Sequence, residues 1–162
     1  RGVISYGVLD AKSPRRLHRL FAVEALLGGV APWPASNETF ELLPLLKPLG
    51  AIESYRFADW RSEAVRLSHA RCAAAVYSRP GEAYLLLANL DPEPHEVACV
   101  LDPKKLPYPL AHPTIAERLT VAGLPAGSPS RPDASPLNLR QLLGEGAKIT
   151  LPGDDVIVVR VR

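Results

Sequence analysis

Residues 72–101 read CAAAVYSRPGEAYLLLANLDPEPHEVACVL, and they decide the fold. Three apolar runs, at residues 72–78, 83–90 and 96–101, are separated by two short polar breaks. In the first break, Arg79-Pro80-Gly81-Glu82, proline presets one dihedral and glycine allows positive φ, which together make a tight turn. The second break, Asp91-Pro92-Glu93-Pro94, has the same character. Three strands joined by two turns predict an antiparallel meander. The run at 83–90 has no polar alternation, so it predicts a central strand covered on both faces.

Outward from this block, the β texture continues on both sides. Residues 64–68 predict a short strand, and residues 157–161 alternate in a closing strand, with Pro152-Gly153 breaking it from residues 148–151. Residues 102–136 hold eight of the 17 prolines. Within this insert, residues 116–121 predict a strand and residues 123–136 (GLPAGSPSRPDASP) a loop. Leucines 137, 139, 142 and 143 predict a short helix ended by Gly144.

The first 50 residues have a different texture. Residues 3–9 (VISYGVL) are a short apolar run of strand type. Ser13-Pro14 then starts a helix, because serine caps free N–H groups and proline suits the first helical position. Leu17, Leu20, Phe21, Glu24 and Leu27 follow at helical spacing, apolar except for Glu24, and predict one core-facing stripe ended by Gly28-Gly29. Two prolines flank Trp33, and a second helix is expected over residues 36–47. The expected architecture is therefore α+β: an N-terminal helix pair (1–50), then a mostly antiparallel β-sandwich (51–162) carrying a proline-rich insert at 102–136. The chain begins with Arg1 and contains no methionine, from which we expect a C-terminal piece of something longer.

Composition narrows the function classes. The chain has 162 residues, 47% hydrophobic and 22% charged, enough for a substantial core. Nineteen basic and 17 acidic residues are interspersed, with no basic run longer than two, so neither nucleic acid nor an anionic membrane is an expected partner. No apolar stretch approaches the ~20 residues of a membrane-spanning helix.

The layout resembles the C-terminal end of glycoside hydrolases of the α-amylase and α-galactosidase type. Residues 149–161 (ITLPGDDVIVVRV) resemble the closing strands of their terminal β-sandwich. LLLANL at 85–90, before the DPEP turn, is similar to their "L-x-N" hairpin strand, and LLGGVAPWP at 26–34 to the last barrel loop. The proline-rich insert departs from a compact sandwich. The resemblance implies a non-catalytic accessory domain whose partners are an upstream catalytic barrel and an oligosaccharide. It carries no catalytic carboxylate onto this chain, because those groups sit on barrel strands. It also implies an apolar patch around Leu17, Phe21 and Phe40 where the barrel is met.

Candidate site residues are few. Tyr55, Phe57 and Trp60 form a possible sugar platform, since flat rings stack on pyranose C–H faces. The other reading of these rings is a plug between helices and sheet. Asp59 and Glu63 bracket Trp60, and with His69 they are the groups a small enzyme would use. Asp154-Asp155 reads as a solvated turn. The histidines (18, 69, 95 and 112) lie far apart and show no ligand spacing, so no metal or cofactor is expected. Cys72 and Cys99 both fall on expected strands, as buried thiols or, in an oxidising compartment, as a pair. A free-standing sugar- or protein-binding module is the alternative to the accessory domain.

Overall fold

The structure is a computed structural model and describes residues 15–29, 52–120 and 133–162. Its elements in chain order are α1 (Arg15–Leu27), β1 (Arg56–Ala58), β2 (Val65–Leu67), β3 (Cys72–Arg79), β4 (Glu82–Asn89), β5 (His95–Leu101), β6 (Ala116–Thr120), β7 (Asp133–Pro136), α2 (Leu139–Leu143), β8 (Ala147–Leu151) and β9 (Asp155–Val161). Short 3-10 turns sit at Ile52–Ser54 and Trp60–Ser62. The fold is α+β with two sheets in a sandwich-like arrangement. The larger runs β1-β3-β4-β9-β6-β7, the smaller β2-β5-β8, and every pairing is antiparallel. The expected strand at 3–9, Trp33 and the expected helix at 36–47 with Phe40 lie outside the described residues.

As expected, β4 is central and covered on both faces. From Ala83 to Asn89 every residue is buried. Alternation along β4 and its neighbours sorts the side chains into two cores. Val76, Leu85, Leu87, Ile157 and Val159 face the small sheet and meet Val97, Leu101, Ile149 and Leu151. Tyr77, Leu86 and Val158 point the other way, against Ala22, Val23, Leu26 and Leu27 of α1. The layers are thus helix, six-stranded sheet and three-stranded sheet.

Three sequence expectations need correction. First, residues 72–101 are not a meander. β3 and β4 form a hairpin, but β5 pairs with β2 and β8 in the other sheet, and β4 takes β9 as its second neighbour. The physical reason lies in the side chains: β5 buries alternate residues only, which suits a sheet with one solvated face, whereas β9 (DVIVVRV) buries both sides. Second, residues 133–136, expected as loop, form edge strand β7 on β6. Proline at the strand's end is tolerated at a sheet edge. Third, α1 is rotated by roughly a third of a turn from the expected stripe. Leu17 is 45% exposed and Glu24 is exposed, while Ala22 and Val23 are fully buried. Ala22 lets the helix backbone approach the sheet, and this close fit prevails over the larger side chains.

The described start of the insert closes one end of the inner core. Leu106 and Leu110 are buried there, and the Tyr108 N–H donates to Ser78 Oγ at 3.1 Å. Asn138 caps α2 by accepting from the Gln141 N–H at 3.1 Å, and Leu142 of α2 packs into the same core.

Candidate functional site

The structure separates the three aromatic rings expected as a platform. Tyr55 and Phe57 share a face of the β1 segment, but this is the outer face of the large sheet, beside the core that α1 covers. Tyr55 is buried, meets the Tyr84 ring edge-on at 5.8 Å and donates its hydroxyl to Glu82 Oε2 at 2.8 Å. Arg79 donates to the same oxygen from Nε (3.0 Å) and Nη2 (2.7 Å), and its guanidinium lies 4.7 Å from the centre of the Tyr55 ring. Phe57 packs on Tyr77 at 5.0 Å, and a Cβ on Gly29 would stand 2.8 Å from the Phe57 ring. Both rings therefore plug the junction between helix and sheet.

Trp60 alone is displayed, at 61% exposure. Its position is built locally. Asp59 caps the 3-10 turn, accepting from the Arg61 N–H at 3.0 Å and from Arg61 Nε at 2.9 Å. Glu63 ends the turn in the left-handed region (φ 53°), and the Lys105 ammonium reaches its carboxylate at 3.1 Å. The Arg61 guanidinium holds the Asp59 carboxyl below its ordinary range. Trp60 and Arg61 overlook a groove of about 590 Å³, with Glu24 and Leu27 of α1, Leu67 of β2 and Cys72 of β3 among its other walls. The volume falls in the ~300–1,000 Å³ range of ligand clefts.

One cluster has no signature in the sequence. His69 and His95, far apart in sequence, stack with ring centres 3.8 Å apart. Cys72 Sγ lies 3.9 Å from His69 Nδ1, and Asp91 Oδ2 lies 3.6 Å from His95 Nε2. The sheet crossing between β4 and β5 produces this meeting, which no linear spacing encodes. The Arg71 N–H also donates to His69 Nδ1, at 3.3 Å. Among the described residues, no group of three or more histidine, cysteine, aspartate or glutamate side chains is arranged to hold a metal ion. Both cysteines are free. Burial, with Asp91 nearby, pushes the Cys72 thiol up, which keeps it protonated and poorly nucleophilic at neutral pH.

Asp154 and Asp155 are not merely solvated. Arg16 Nε donates to Asp154 Oδ2 at 2.5 Å and Arg19 Nη2 to Asp155 Oδ1 at 2.7 Å, tying α1 to the start of β9. Among the described residues, no helix is long and apolar enough to cross a membrane.

Burial of weak acids sets the response to alkali. Burial pushes the Cys99 thiol up from an ordinary value of 9.0 to about 12, and it raises the phenols of Tyr55, Tyr77 and Tyr84. Each of these groups holds its proton more tightly in the folded chain than in the unfolded one. The unfolded chain thus binds fewer protons above the ordinary thiol range, and stability falls as pH rises. We expect the urea midpoint to be lower near pH 11 than near pH 8, with much of the loss between about 9 and 12. An unchanged midpoint would show that these groups are not shielded.

Searches of protein-family models, of curated proteins and of solved structures found no match to this chain.

Proposed function

We propose that this chain is a non-catalytic accessory β-domain of a carbohydrate-active enzyme of the glycoside hydrolase type, which packs against the catalytic barrel and touches sugar through Trp60. The observation that carries the reading is Leu17, left exposed on the side of α1 that faces away from the sheet. One side buries Ala22, Val23 and Leu26 on the sheet, while Leu17 stands 45% exposed on the other. We read Leu17 as the point at which a neighbouring body would cover this helix. Half-buried Phe21 adjoins this exposed edge. Trp60 supports the sugar contact, because its exposed ring stands beside a carboxylate and a guanidinium held in fixed geometry. Pyranose rings are gripped by this combination of a stacking plane and polar groups that fix orientation.

The test uses the chain itself. A panel of p-nitrophenyl glycosides should yield no product, and soluble oligosaccharides should shift tryptophan emission in the parent but not in Trp60→Phe. Leu17→Glu should leave the urea midpoint within about 0.5 kcal/mol of the parent, because a residue waiting for a partner contributes nothing to the isolated fold. Turnover of a glycoside, or a Leu17→Glu chain that unfolds, would overturn the reading.

A further inference from the structure

Among the described residues, His95 Nε2 is the buried side-chain polar atom left without a hydrogen-bond partner. Buried polar atoms ordinarily have one. Asp91 Oδ2 faces this nitrogen at 3.6 Å, beyond hydrogen-bond distance. The His69 ring lies over the His95 ring, with 26° between their planes. The two imidazoles are not equivalent. The Arg71 N–H donates to His69 Nδ1 at 3.3 Å, and a donor can bond only to a bare ring nitrogen. This bond assigns the His69 proton to Nε2. Cys72 Sγ, 3.9 Å away, approaches the same Nδ1.

The rings therefore respond differently to acid. A proton on His95 Nε2 brings positive charge to face the Asp91 carboxylate. A proton on His69 Nδ1 sets N–H against the Arg71 N–H and breaks that bond. With both rings charged, two cations face each other across a stack 3.8 Å deep, where like charges repel strongly. The surrounding charges do not remove this conflict. Arg71 and Arg16 of α1 both act on Asp91, and Arg16 is already engaged by Asp154. Glu96, next along β5, turns to the outer face and pairs with Lys148 of β8. The Glu93 N–H, and then the His95 imidazole, hold the Asp91 carboxyl below its ordinary range, so it stays charged while histidines titrate.

The stack also joins two sheet crossings. His69 lies in the turn that leads from β2 in the small sheet to β3 in the large one, and His95 opens β5 after the return from β4. We infer that the His69–His95 stack is an acid-sensitive latch between these crossings, closed while at most one ring is charged and opened when both are. Opening swings the His69 ring away and frees the Arg71 N–H. The unfolded chain protonates both rings, whereas the closed latch takes one proton. Stability is thus full above the ordinary histidine range and falls as pH drops through it, by up to about ten-fold in the folding equilibrium per pH unit until the latch opens. The inference does not rest on the sugar reading.

The experiment uses the whole chain. Imidazole resonances of the stacked pair, identified by cross-relaxation between the two rings, are followed by NMR from about pH 8 to about 4.5. We expect them to titrate in two steps at least about one pH unit apart. Hydrogen exchange at the Arg71 amide, corrected for its intrinsic pH dependence, should be about ten-fold faster near pH 5 than near pH 7. His69→Phe keeps a stacking ring but takes no proton, so its urea midpoint should fall less than the parent's over the same interval. The first two readings come from the parent and decide the matter even where His69→Phe folds poorly. One common titration step for both rings, as in the urea-unfolded chain, would overturn the inference. So would an Arg71 amide equally protected at both pH values, or an acid loss in His69→Phe equal to the parent's.

Discussion

Leu86→Ala should destabilise this chain by about 2–5 kcal/mol, as much as Leu87→Ala to within about 1 kcal/mol. The two leucines are neighbours on β4, both 0% exposed, and they point in opposite directions. Leu87 faces the small sheet, where any sandwich of this kind would lose a core contact. Leu86 faces α1. In a sandwich of only two layers, that position would be a surface residue, and its truncation would cost no more than about 0.5 kcal/mol. Near-equality of the two costs in urea unfolding is thus a direct measure of whether α1 is part of the fold. A small effect at Leu86 alone would mean that the helix does not cover the sheet in solution.

Gly153→Ala should cost about 3 kcal/mol or more, although it adds a single methyl group near the surface. A Cβ at this position would lie 1.8 Å from the Pro92 carbonyl oxygen and 2.4 Å from its carbon. Those atoms belong to backbone and cannot swing aside. The Asp154 N–H also donates to the Asp91 carbonyl at 2.8 Å, and Asp154 itself holds φ 49° in the left-handed region. The turns at 91–94 and 152–154 thus interlock. One carries the chain from the large sheet to the small, the other carries it back, and the two crossings lie against each other at one end of the sandwich. Forcing them apart would shift the registers of β4 with β9 and of β5 with β8 together. The sign is checked by a lowered urea midpoint, and a midpoint equal to the parent's would show that the crossings are loosely joined. The ion pairs of Arg16 and Arg19 onto Asp154 and Asp155 lie beside this junction. Because they are partly exposed, solvent screens them and they add little to stability.

The sequence made the elements more legible than their neighbours. The unbroken run at 83–90 identified a strand buried on both faces because burial leaves no polar alternation. Gly144 marked the end of α2, whereas its Asn138 cap was not read from the sequence. Pairing was harder, since adjacency along the chain suggests a meander unless the strand's own pattern objects. In β5 it does: His95, Glu96, Ala98 and Val100 alternate with buried Val97, Cys99 and Leu101. The face of α1 was misjudged because large apolar residues weigh most in a helical stripe, whereas contact with a sheet rewards small ones such as Ala22. Of the expected platform, the common face of Tyr55 and Phe57 followed from strand alternation, and of the two readings offered for these rings the plug between helix and sheet is the arrangement seen. The His69–His95 stack is a product of tertiary crossing and has no linear trace.

The position of β9 also bears on how the chain is made. Its last strand in sequence sits between β4 and β6, and the pairing with β4 joins residues 66 to 78 positions apart. During translation, β3 and β4 emerge as a hairpin with one apolar flank uncovered. The six-stranded sheet remains two fragments until Val161 has cleared the ribosomal tunnel. Synthesis of this polypeptide therefore leaves an interval in which LLLANL is open to chaperones or to aggregation, and stalling the ribosome short of residue 155 should hold it there.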